Sequence, residues 1–119
     1  MNITPQQHQK MASMLFTSVY PHYVAKVEKK GRTTTELHQV ITWLTGFDED
    51  SIFAMLKEKV SFELFFQKAT LHPNASKIKG SICGYKVEEI DNPLTQKIRY
   101  LDKLVDELAK GKKMEKLLR

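Results

Sequence analysis

The sequence holds one cysteine, Cys83, so no disulfide can close within the chain. A lone thiol fits a reducing compartment. The opening M-N-I-T-P-Q-Q-H-Q-K lacks a basic stretch followed by an apolar core, so we expect a cytoplasmic protein without a secretory signal. No apolar run approaches the roughly 20 residues of a membrane-spanning helix, and no membrane association is expected. The glycines at 31, 46, 80, 84 and 111 stand at points suited to helix ends and turns, and they do not form a phosphate-binding loop. His8, His22, His38 and His72 are widely spaced, and none pairs with another histidine, a cysteine or a carboxylate at zinc-ligand spacing. Neither a metal nor a cofactor is expected. Acidic residues are outnumbered 14 to 19, and the net charge of +5 favours polyanions without requiring one.

What the chain does have is helical periodicity. Its 119 residues, 41% hydrophobic and 28% charged, suit one domain large enough to bury a core without staples. The clearest pattern runs from Asn92 to Gly111, where Leu94, Ile98, Leu101, Val105 and Leu108 alternate spacings of four and three and Leu104 widens the stripe. Asn92 can accept from an orphan N–H, Pro93 loses nothing in the first turn, and Gly111 can take the left-handed cap. This segment should organise the domain.

Upstream, residues 1–13 are polar and contain Pro5, and we expect a flexible arm, with the helical domain spanning 14–119. From Thr17, the residues Val19, Tyr20, Tyr23, Val24 and Val27 form an apolar stripe that places Pro21 in a first turn and ends at Lys29, Lys30 and Gly31. Thr33 to Glu36 reads as a capping box opening a helix through Leu37, Val40, Ile41 and Leu44 to Gly46. Asp48 and Ser61 can cap two further helices, the second dense in phenylalanine. Residues 74–90 are ambiguous. Asn74 can cap a helix ending at Gly84, whereas the paired glycines and Tyr85-Lys86-Val87 fit an extended segment. We favour helix, then a short extended link near 84–90. The expected fold is all-α: a single small domain of about five or six short helices in a crossed bundle.

No reactive constellation stands out, and we lean away from an enzyme. Should polar groups converge on a pocket, His22, Tyr23 and Cys83 are the least implausible. The aromatic content suggests instead a non-enzymatic module that binds a protein partner or itself through Tyr20, Tyr23, Trp43 and Phe66. The alternative is a nucleic-acid-associated protein that uses Lys26, Lys29, Lys30 and Arg32 for weak, electrostatic, non-sequence-specific contact. Sequence-specific reading is disfavoured, because the helix after Asp48 begins with three acids and the helix after Thr33 has no base-reading side chain at its start.

Ser18-Val19-Tyr20-Pro21-His22-Tyr23-Val24-Ala25-Lys26, Gly31-Arg32-Thr33, Ile41 to Gly46 and Arg99 to Gly111 resemble a small bacterial domain-of-unknown-function family, the one numbered 2200. The resemblance covers nearly the whole chain beyond the first dozen residues. It implies a mainly helical small bacterial domain and carries over no activity, cofactor or catalytic residue.

Overall fold

The computed structural model describes residues 3–119. Helix α1 (Pro5–Ser13) starts on a capping box in which the Thr4 hydroxyl accepts from the Gln7 N–H and the Gln7 side chain accepts from the Thr4 N–H. The stretch expected as a flexible arm is thus largely a helix, docked on later elements although none of its own residues is buried. Met1 and Asn2 of that arm lie outside the described residues.

Helix α2 (Phe16–Lys29) begins at the fully buried Phe16, so Pro21 lies inside the helix and not in its first turn. Its missing N–H removes the bond that the Thr17 carbonyl would otherwise receive. The helix ends as the glycine signal indicates. Gly31 turns left-handed at φ 80°, its N–H donates to the Glu28 carbonyl, and the Arg32 N–H donates to the Val27 carbonyl.

Helices α3 (Thr34–Thr45), α4 (Glu49–Glu58) and α5 (Phe62–Lys68) start where the sequence places their caps. Thr33 accepts from the Glu36 N–H, Asp48 from the Ser51 N–H and Ser61 from the Leu64 N–H. Each cap satisfies a backbone donor that the helix cannot pair internally.

The favoured helix over 74–84 is not there. A single 3-10 turn at Ala75–Lys77 is followed by a hairpin of β1 (Ser81–Ile82) and β2 (Tyr85–Lys86), with Ser81 opposite Lys86 and Ile82 opposite Tyr85. The extended reading holds for Tyr85–Lys86, whose partner strand lies before residue 84, whereas Val87–Glu89 forms a second 3-10 turn. A helix would have placed Gly80 in its interior at a cost of about 1 kcal/mol relative to alanine. In the hairpin, Gly84 takes φ 83° beside Cys83 at φ 53°, as a two-residue turn between twisted strands requires.

Helix α6 (Pro93–Ala109) then runs through the middle of the molecule, and α7 (Met114–Leu117) closes the chain. α6 packs against α1, α2, α3, α5, α7 and β1. Because neighbours surround it, Thr95, Tyr100 and Ala109 are buried along with the expected Ile98, Leu101, Leu104, Val105 and Leu108. The Asp106–Lys110 pair forms at 3.0 Å. Glu107 holds Arg119 and Lys112 at 2.7 and 3.3 Å, fixing the segment that carries α7. The fold is a mainly helical single domain with seven α-helices and one small hairpin among the described residues.

Candidate functional site

The four aromatic candidates separate by depth. Tyr23 and Phe66, at 6% and 4% exposure, belong to the core and offer a partner almost no surface. Tyr20 and Trp43 are half-buried. The Tyr23 hydroxyl donates to Asp102 Oδ1 at 2.5 Å, and burial together with the Asp102 charge pushes its pKa well above the ordinary tyrosine value, keeping it a neutral donor. Asp102 Oδ2 accepts from Arg99 Nη1 at 2.8 Å, and that nitrogen also lies 3.2 Å from Cys83 Sγ. The structure therefore links Tyr23 and Cys83 through Asp102 and Arg99, while His22 is exposed and outside the network. The network ties α2, α6 and the hairpin together, with the tyrosine hydroxyl sealed inside.

A second network was missed at the level of sequence. His38, only 4% exposed, sits between the Tyr20 hydroxyl at 2.5 Å from Nε2 and the Glu49 carboxylate at 2.8 Å from Nδ1. A neutral ring with its proton on Nδ1 satisfies both neighbours: it donates to Glu49 and accepts from Tyr20. The order hydroxyl, imidazole, carboxylate is that of an activated nucleophile. However, burial, reinforced by Glu49 and Glu28, raises the Tyr20 pKa, which opposes formation of the oxyanion. The three groups join α2, α3 and α4 by satisfying buried polar atoms.

Two of the four basic candidates, Lys26 and Arg32, are engaged within the molecule. Lys26 pairs with Asp106 at 3.1 Å, and Arg32 forks onto Glu36 at 2.8 and 3.1 Å while Nη1 donates to the carbonyls of Leu108 and Lys112. Arg32 thus caps the C-terminus of α6, where free carbonyls and the helix dipole favour a cation. Lys29 and Lys30 are exposed.

These contacts set an acid response. Bonds from the Arg32 side chain, then from the Thr33 N–H, hold Glu36 below the usual carboxylate range. For Asp106, burial pushes upward, and Lys110 and Lys26 more than offset it, so this carboxyl also lies low. A carboxyl whose folded pKa is depressed contributes stability above its unfolded value, near 4, and loses it as pH falls through the folded value. We expect the melting temperature to fall below about pH 4 and the fall to be shallower in Asp106→Asn and Glu36→Gln. Profiles parallel to the parent's would contradict these assignments.

Two concavities stand out among the described residues. One, of about 660 Å³, lies between His8 and the hairpin, and its wall includes Ile3, the first described residue. The other, of about 560 Å³, runs along the outer face of α3 past Thr35, Gln39, Thr42 and Trp43. Met114, Leu118, His38, Asp48 and Glu49 complete its lining. The α3 residues recur at helical spacing, so they form one stripe opposite the buried Leu37, Val40, Ile41 and Leu44. Trp43 is held at the groove by stacking on His72, with ring centroids 4.3 Å apart, and His72 Nδ1 accepts from the Asn74 N–H. Phe53, one turn beyond Glu49 on α4, is 53% exposed and packs edge-on against His38, extending the apolar surface. Of the aromatic candidates, Trp43 alone lines this groove.

The family model described as "Uncharacterized protein conserved in bacteria (DUF2200)" matches residues 10–119. The chain belongs to this family. The DUF2200 match contains all the elements that build the groove, α3, the start of α4 and α7. A crystal structure of the uncharacterized protein SP1917 is similar at 47% identity over 92% of this chain and 91% of that one, with a TM-score of 0.86. No curated protein matches. Among the described residues of this DUF2200 chain, no group of three or more His, Cys, Asp or Glu is placed to hold a metal, and no helix is long and apolar enough to cross a membrane.

Proposed function

We propose that the protein is a bacterial cytoplasmic interaction module whose groove between α3 and α7 receives a segment of a protein partner. The observation that carries this reading is the apolar trough of about 560 Å³ lined by Trp43, Met114 and Leu118. Its size lies in the range of specific binding clefts, and a half-buried tryptophan beside aliphatic walls is the usual anchor of a protein interface. The exposed Phe53 adds contact area beyond the trough. An electrostatic polyanion surface is less well supplied, since Lys26 and Arg32 are already paired with Asp106 and Glu36.

A photo-crosslinking residue placed at Gln39 or Thr42, both exposed on the stripe, tests this in cells. The expected result is one discrete protein adduct at both positions, lost on Trp43→Ala and absent from a probe at the exposed Glu63 on α5. The same adduct from Glu63, or persistence without the indole, would overturn the groove as the binding surface.

A further inference from the structure

Taking the groove as the docking surface, we infer that the segment it receives is a short amphipathic helix carrying lysine or arginine along one edge. Three observations converge on that partner, and the first is charge. The chain is net +5, yet no lysine or arginine lines the groove, and two carboxylates do, Asp48 and Glu49. Neither makes an ion pair with a lysine or arginine among the described residues. Glu49 meets only His38 there, and its side chain is 56% exposed. Asp48 spends one oxygen capping α4 through the Ser51 N–H. Both can accept an incoming cation without breaking an existing pair.

Shape is the second. The stripe from Thr35 to Trp43 covers two turns of α3, and at 1.5 Å per residue it is about 12 Å long. That is the length two turns of a partner helix present. The lining from α3 includes the short side chains of Thr35 and Thr42, and Trp43, Met114 and Leu118 supply its apolar surface. An apolar row spaced i, i+3, i+4, i+7 fits such a trough.

The third is what the groove lacks. Strand addition needs an unpaired sheet edge, and the groove's lining comes from helices and the residues that cap them. Polyproline recognition needs several aromatic ridges, and the lining holds one large aromatic, Trp43, apart from the buried His38.

Trp43 is the sole tryptophan, so its fluorescence reports from the site itself. The probes are two helical peptides of about 14 residues, enough for a stable amphipathic face when stapled, with identical leucine rows and flanking positions filled by lysine in one and glutamate in the other. The lysine peptide should shift Trp43 emission and bind about tenfold more tightly at low salt, with the preference shrinking as salt rises. Asp48→Asn with Glu49→Gln should abolish the preference, since asparagine still caps α4 and glutamine still offers His38 an acceptor. Equal binding of the two peptides, or a preference that survives the double substitution, would overturn the cationic edge and leave the groove standing. Silence of Trp43 toward both would overturn the helical partner and the groove together.

Discussion

Phe65→Ala should destabilise the protein by about 3–5 kcal/mol, the usual cost of removing a fully buried phenylalanine from a packed core. Phe65 has no exposed surface and lies among four rings: Phe16 stacked at 4.4 Å, Phe66 at 4.9 Å, Phe47 at 5.1 Å and Phe62 at 6.1 Å. Those rings belong to α2, α5 and the α3–α4 connection, so no single element can move in to fill the void. The lost contacts and the residual cavity therefore both count. Urea unfolding should show a lower midpoint with an unchanged slope. A cost below about 1 kcal/mol would mean that the site collapses, against the packing seen here.

Arg32→Ala is expected to cost about 2–3 kcal/mol, more than a surface lysine could. Its guanidinium, 16% exposed, donates to the Leu108 and Lys112 carbonyls and forks onto Glu36. Removing it takes the donor from the Lys112 carbonyl just beyond α6 and both guanidinium bonds from Glu36 Oε2, while the Leu108 carbonyl keeps the Gly111 N–H and Glu36 Oε1 keeps the Thr33 N–H. Lysine should rescue only part, because an ammonium cannot make the planar fork. Alanine at Lys29 or Lys30, both exposed, should change stability by no more than about 0.5 kcal/mol. Thermal unfolding checks the contrast. A drop on the order of 10 °C is expected for Arg32→Ala and almost none for the lysines. Equal and small shifts at all three positions would return Arg32 to the solvent-facing basic cluster.

The starts of α3, α4, α5 and α6 were legible because a cap is local, whereas α2 starts on Leu15 without a side-chain cap and its start was not. Thr33 with Glu36, Asp48, Ser61 and Asn92 each declare themselves within three residues. The same logic was available for α1, where Thr4, Pro5 and Gln7 spell a capping box, but the polar run around them hid it. The depth of Tyr23 was also readable, since it lies four residues before the buried Val27, and Phe66 sits within one turn of Phe62 and Phe65. The hairpin was not, because strands of two residues carry no period to detect. The site lies furthest from local signals. His38 meets Tyr20 and Glu49 across 18 and 11 residues, and the groove joins α3 to residues 114 and 118. Arg32 shows the same limit: its partners Leu108 and Lys112 lie 76 and 80 residues away, so a basic cluster in sequence became a helix cap in space.

The most direct measurement is residue-resolved NMR of the protein titrated with the lysine-flanked peptide. We predict shifts confined to the amides of Thr35, Gln39, Thr42, Asp48 and Glu49, the Trp43 indole, and the side chains of Met114 and Leu118. Shifts centred on Lys29 and Lys30, or on the cavity beside the hairpin, would contradict the groove as the recognition surface.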